Sequence, residues 1–289
     1  MSNDRREFLK VAGTLATGVV LGGISNSLTA CSVKATLNNI EKFGIQLYTL
    51  RDVLPADTKG TLKKIASYGY EQIESYEHES LGMYWGMTSK DFKKYIDDLG
   101  LNFIASHCDH NKDFEKKADE AAAIGIKFLI CPWIGPQNKL EPFRKAAESF
   151  NKAGEICKQR GIRFGYHNHD YSFKKIEGVY PQDILMQNTD KALVDFEMDM
   201  YWVITAGQDP FEWIRKYPER FTLVHVKDGR AGKTTTLGLG TIDYPRILQQ
   251  AEIAGLKYFF VEQEDYVGTT PIAAAQANAE YMKKLRFKK

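Results

Sequence analysis

Residues 164–173 read FGYHNHDYSF, in which His167 and His169 flank Asn168 and the carboxylate of Asp170 follows at once. Imidazole and carboxylate groups bind divalent metals or move protons. Here they close an apolar run of strand length, where a core strand would carry Val or Ile. The same pattern recurs along the chain, with Gln46 and Tyr48, Glu74 and Glu77, His107 and His110, then Trp133. It continues through Glu197 and Asp199, His225 with Lys227 and Asp228, and Glu262 with Glu264 and Asp265. Of the 6 histidines, only His78 lies outside these groups, just past the second. A lone histidine at a strand end is as a rule a hydrogen-bonded structural residue, and His169 keeps that alternative. The repetition is what points to a site. Imidazole with carboxylate oxygen suits Mn2+, Zn2+, Fe2+ or Co2+, and the absence of nearby thiolates argues against a structural zinc. Residues two apart on a strand share a face. In each of the pairs His167/His169, Glu197/Asp199, His225/Lys227 and Glu262/Glu264, one group can therefore bind metal while the other reaches a substrate.

The elements that must position these groups are marked by a repeated joint: an amphipathic helical stretch, a glycine, then a β-rich run. It appears as ASYGYEQIES, DDLGLNFIAS, AAIGIKFLIC, KQRGIRFGYH and EIAGLKYFFVE. Glycine at a helix C-terminus takes the left-handed conformation that ends the helix. The joints Gly69, Gly100, Gly125 and Gly161 recur at about the length of one β–α unit, and the gap to Gly255 holds about three. KFGIQLYTL, KALVDFEMD and FTLVHVKD complete the set. Eight strands are thus predicted at 43–48, 71–76, 102–107, 127–132, 163–168, 193–198, 221–226 and 258–263. Helices are predicted at 58–68, 88–98, 113–123, 139–159, 209–216, 243–253 and 271–285. Eight alternating units imply an α/β fold, a (β/α)8 TIM barrel forming a single domain over 42–289. The rival, a doubly wound open sheet, lacks a GxGxxG after the first strand. In such a barrel the chemistry gathers at the C-terminal strand ends, where the polar residues above fall.

With 43% hydrophobic and 26% charged residues the chain is globular in composition, and 39 basic against 37 acidic side chains leave no electrostatic footprint for nucleic acid. The N-terminus differs in kind. DRREFLK places Arg5 and Arg6 before an apolar run from Val11 to Ile24, which resembles a twin-arginine export signal, and LTAC, ending at Cys31, resembles a lipobox. Residues 1–30 are therefore expected to be a cleaved signal and 31–41 a lipidated N-terminus and linker, with Cys31 carrying the lipid. The product would be exported, periplasmic and held to the membrane by its lipid alone. Cys108, Cys131 and Cys157 remain, an odd number without CxxC spacing, so no disulfide framework is indicated. Self-association is left open.

YHNHDY, FEMDMYWV, LVHVKDG, LGLGTIDYPRIL and FVEQED, in this order and spacing, resemble the xylose isomerase-like TIM barrel superfamily. This is the sugar phosphate isomerase/epimerase group that also contains inosose dehydratases. The resemblance implies one divalent metal (Mn, Zn, Co, Fe or Mg) held by Glu, Asp, His and Glu from strands five to eight. Carried over, the last three fall on Asp199, His225 and Glu262, and the first falls on His167, where this chain departs from the usual glutamate. It further implies removal of a proton beside a carbonyl through an enediolate, with Glu262 as ligand and base, His169 or His107 as its acid partner, and Lys227 neutralising the oxyanion. Without the first glutamate a two-carboxylate epimerisation loses one arm, which favours elimination or one-base isomerisation. Gln46, Tyr48, Glu74, Trp133 and Trp202 are expected to meet substrate, and Asp170 to cap or orient its loop. An exported enzyme rarely meets phosphorylated sugars. The expected activity is therefore isomerisation or epimerisation of an unphosphorylated sugar or keto-sugar. One alternative is a lyase eliminating water or an aglycone from an inosose or 3-keto-glycoside, and another is a non-catalytic sugar-binding lipoprotein.

Overall fold

A computed structural model describes residues 37–249 and 251–288, so the expectations placed on residues 1–30 and on Cys31 lie outside the described residues. Eight parallel strands close into a barrel: β1 (Gly44–Gln46), β2 (Gln72–Tyr76), β3 (Asn102–His107), β4 (Phe128–Cys131), β5 (Arg163–His167), β6 (Val194–Asp199), β7 (Phe221–Val226) and β8 (Tyr258–Val261). β8 returns to pair with β1, Phe260 opposite Gly44, so no edge is left open. Each predicted run coincides with one of these strands, and β6 extends one residue beyond its predicted end, to Asp199. β1 is shorter than predicted because the Gln46 side chain accepts a hydrogen bond from the Tyr48 N–H at 3.0 Å, which turns the chain into a 3-10 helix over Leu47–Leu50.

The joint glycines behave as the sequence implies: Gly69, Gly100, Gly125, Gly161 and Gly255 all have φ between +73° and +91°. Around the barrel lie α1 (Thr58–Ser67), α2 (Ser89–Asp98), α3 (Phe114–Ala123), α4 (Glu141–Gln159), α5 (Pro181–Asn188), α6 (Met200–Thr205), α7 (Pro210–Lys216), α8 (Tyr244–Leu248), α9 (Ala251–Ala254) and α10 (Pro271–Lys284). The stretch predicted as one helix over 243–253 is two, and α5 and α6 were not predicted. Pro181 opens α5, a position where its missing N–H costs nothing. α6 follows β6 without a loop because Asp199, the last residue of the strand, caps it by accepting from the Trp202 N–H at 3.1 Å.

Two apolar layers result. The larger fills the space between strands and helices and includes Leu62, Phe92, Phe143, Phe150, Met198 and Val226. A smaller cluster contains Ala105, Phe128, Ile130, Leu223 and Phe260. Ala105, Leu223 and Phe260 sit two residues before His107, His225 and Glu262 and share their face, so this cluster is the plug of the barrel interior, with the polar residues stacked on its C-terminal side. Leu37–Asn38 pairs antiparallel with Phe287–Lys288, and a hairpin of Asp228–Arg230 with Lys233–Thr235 follows β7. Among the described residues no helix is long and apolar enough to cross a membrane.

Candidate active site and metal centre

Two register shifts shape the C-terminal end. The β2–β3 pairing slips between Ile73 and Glu74, and the β6–β7 pairing between Phe196 and Glu197. Such bulges re-aim side chains on the strand with the extra residue; the extra residues here are Ile104 on β3 and Thr222 on β7, opposite the strands β2 and β6 that carry the buried carboxylates of Glu74 and Glu197. With β5 and β8 these four strands gather two overlapping sets of donor atoms, each set lying within 4.8 Å of one another. The outer set is His167, Asp199, His225 and Glu262; the inner is Glu74, His107, Glu197 and His225. All seven side chains are buried.

In the outer set, His167 Nδ1 lies 3.4 Å from the carbonyl of Pro132, to which it donates. That fixes the tautomer and leaves the lone pair on Nε2, which makes no aligned hydrogen bond and stands 3.4 Å from Asp199 Oδ2. His225 Nδ1 lies 2.9 Å from Glu262 Oε2. Two imidazole nitrogens and two carboxylates converging in a buried space fit a divalent ion of the Mn, Zn, Fe or Co type. Asn168 braces the set from outside: its side-chain amide bonds the Asp199 carbonyl and N–H, each at 3.2 Å. Lys227 is fully buried beside it, its Nζ 2.8 Å from Asp199 Oδ2, 2.6 Å from Glu262 Oε2 and 2.5 Å from Glu264 Oε1.

The electrostatics follow from these contacts. Burial favours a neutral Lys227 amine, but Asp199, Glu262 and Glu264 outweigh it and raise the pKa, so Lys227 is an ammonium. Burial likewise opposes ionisation of Asp199 and Glu262, yet Lys227, with His225 for Glu262, holds both well below the usual carboxylate range. His169 is pushed down to about 2 by burial and then by His167 and Lys227, so it is a neutral imidazole. In the inner set, burial and the charge of Glu197 push Glu74 up to about 7. Burial opposes ionisation of Glu197 too, but His225 and His107 prevail and lower it.

The remaining residues singled out in the sequence divide clearly. His169 faces the mouth among aromatic rings, its own centroid 4.5 Å from Trp133 and 5.4 Å from Trp202. The Trp202 ring lies 5.4 Å from the Lys227 ammonium, and Trp133 and Tyr48 are 53% and 40% exposed, which leaves flat faces open to a ligand. Glu74 and His107 are buried, bonded to His225 at 2.7 Å and to Glu197 at 2.8 Å. Gln46 is buried, its amide engaged by Tyr48 N–H and by the Ser75 carbonyl. Asp170 makes no capping bond and pairs with Lys174. Outside the site are Glu77, bonded to Lys117 at 2.7 Å, and His110, bonded to Ser149 at 3.1 Å. Asp228 organises a loop: its carboxylate accepts from the N–H groups of Gly229, Gly238, Gly240 and Ile242. A Cβ on Gly240 would come within 1.9 Å of Asp228 Oδ1, which is why LGLGTID follows KDG in the sequence. Glu197 and Glu264, which strand alternation offered as the substrate-facing partners of Asp199 and Glu262, bond to His107 and Lys227 instead.

Residues 62–285 match the family described as Xylose isomerase-like TIM barrel. The chain belongs to that family. Among solved structures of the xylose isomerase-like fold, a sugar phosphate isomerase/epimerase from Parabacteroides distasonis is 31% identical, covers 88% of this chain and 96% of its own, and superposes with a TM-score of 0.73. The inosose dehydratase of Clostridium perfringens is 33% identical over 93 residues, which is 32% of this chain and 31% of that enzyme. The matched stretch thus spans less than a third of that relative. The IOLI protein, solved with a zinc atom bound, shares the fold at 16% identity, with 84% of this chain and 97% of its own covered and a TM-score of 0.69.

Proposed function

We propose that this protein is a divalent-metal-dependent lyase that removes water, or another group β to a carbonyl, from an unphosphorylated keto-sugar or inosose. The observation that carries the reading is the asymmetry of the pocket: a carboxylate, Glu262, on the β8 side, and neutral imidazoles, His167 and His169, on the β5 side. Epimerisation at one carbon needs a second proton-transfer group on the opposite face, and on β5 His167 belongs to the ligand set while His169, pushed down to about 2, is a weak base. Elimination needs one base and one hydrogen-bond donor to the leaving group. Held by His167, Asp199, His225 and Glu262, a divalent ion would supply Lewis-acid polarisation of the substrate carbonyl.

This chain's own residues would do the rest. Glu262 takes the proton from the carbon beside the carbonyl. The Lys227 ammonium, fixed by Asp199 and Glu264, offsets the charge that develops on the substrate oxygen. The His169 N–H hydrogen-bonds the departing hydroxyl, which leaves as water with the proton that Glu262 took from the neighbouring carbon. Trp133, Trp202 and Tyr48 provide the sugar-facing walls. The likeness to inosose dehydratases over part of the chain supports elimination, and the likeness to the Parabacteroides isomerase/epimerase over nearly all of it supports a second reading, one-base isomerisation.

Incubation of the metal-loaded protein with an inosose and with 3-keto-glucosides, followed by mass analysis, separates the two. Loss of water or aglycone supports the lyase. A change of isomer at constant mass favours isomerisation, and binding without turnover a sugar-binding protein. We further propose export as a lipoprotein, on the strength of Arg5–Arg6 and LTAC. Cys31→Ala expressed in a Gram-negative host should move the protein from the membrane to the soluble fraction, and unchanged membrane association would refute lipidation.

A further inference from the structure

We infer that the inner set, Glu74, His107, Glu197 and His225, is a second divalent-cation site, adjoining the first and sharing His225 with it. The inference rests on the reading that the outer set binds a metal, but its test is separate. The four groups come from β2, β3, β6 and β7 and are all buried. His107 Nε2 lies 2.8 Å from Glu197 Oε2 and 3.5 Å from Glu74 Oε1, while His225 Nε2 lies 2.7 Å from Glu74 Oε2 and 3.3 Å from Glu197 Oε2. Ligands around a tetrahedral ion with bonds of about 2.1 Å stand roughly 3.4 Å apart, so an ion enters this set with shifts of less than about 1 Å.

Hydrogen bonding alone does not satisfy the cluster. Oε1 of Glu74 and Oε1 of Glu197 are buried and make no hydrogen bond, and buried acceptors without a partner cost about 1–3 kcal/mol each. A cation between them removes that cost. The two β-bulges lie in the strands that supply the imidazoles: the extra residues, Ile104 and Thr222, come three residues before His107 and His225. Two nitrogens and two carboxylates select Zn2+, Mn2+, Fe2+ or Co2+ over Ca2+ or Mg2+.

His225 is what couples the sites. Its Nδ1 faces Glu262 and its Nε2 faces Glu74, so one ring can serve both sets. With both filled it coordinates through both nitrogens as an imidazolate, its last ring proton passing to solvent.

Protein stripped with chelator, reloaded with Zn2+ and desalted should carry two equivalents by elemental analysis. Glu197→Gln and His107→Gln should each retain one, His167→Ala one, and His225→Ala none. Wild-type protein loaded with Cu2+ should show the magnetic exchange of an imidazolate-bridged pair in its electron paramagnetic resonance spectrum, a readout that needs no variant to fold. One equivalent in the wild type, unchanged in Glu197→Gln and His107→Gln and with an isolated Cu2+ signal, overturns the inner site. Loss of metal in Glu197→Gln but not in His167→Ala or Asp199→Asn instead overturns the outer site and leaves the inner one standing.

Discussion

Both ends of the barrel interior are polar, yet they are built on opposite terms. At the N-terminal end Arg163 pairs with Asp195 and donates to the carbonyls of Ala192 and Lys191, and the second oxygen of Asp195 accepts from Thr222 at 2.6 Å. Both members of that pair are thus satisfied. A hollow of about 770 Å³ opens at that end, lined by Lys127, Lys191, Lys257 and Glu219 among others, yet it holds no imidazole. At the C-terminal end, beyond the plug of Phe260, Leu223 and Ile130, imidazoles and carboxylates outnumber the cations that could neutralise them, and His167 Nε2 and Glu197 Oε1 have no hydrogen bond. A satisfied network gives stability; an incomplete one, kept buried, is a place for something to bind. Cavity volume alone would have pointed to the wrong end.

The sharpest way to break this comparison is to remove a ligand at the incomplete end. Asp199→Ala should lose the outer ion and reduce turnover by more than about 10²-fold, since even residues that only support metal ligands are worth 10–100-fold; elemental analysis and product formation report both. Lys227→Met should keep its metal but lose about 10²–10³-fold in kcat, because the fixed ammonium acts on charge that develops during reaction. His167→Glu adds a negative charge to the set and weakens the ion's pull on the substrate oxygen, so turnover at matched metal content should fall by up to about tenfold. A rise would mean that the histidine is a degenerate ligand. Arg163→Ala at the satisfied end should leave metal content and turnover unchanged. It should cost about 1–3 kcal/mol by stranding Asp195, seen as a Tm lowered by roughly 2–4 °C per kcal/mol.

The barrel was legible in the sequence because its joints are chemically marked: a helix that ends on glycine announces the next strand, as at Gly161 before Arg163. α6 was not, because Asp199 caps it at the very end of β6 and MYWVIT reads equally as strand. The outer ligand set was legible through the family pattern, and the substitution of His167 for glutamate was visible only against it. The inner set was not, although Glu74, His107 and Glu197 were each marked as strand ends. Depth within a barrel depends on strand stagger and bulges. One-residue slips at Ile104 and Thr222 set the strands that carry His107 and His225 against Glu74 and Glu197, and nothing in the local sequence announces a slip.

Anomalous diffraction from crystals of the zinc-loaded protein, recorded on either side of the zinc absorption edge, tests the central claim most directly. The account predicts a peak bounded by His167 Nε2, Asp199, His225 Nδ1 and Glu262. Density showing no peak there, with the Lys227 ammonium alone bridging Asp199 and Glu262, would contradict it.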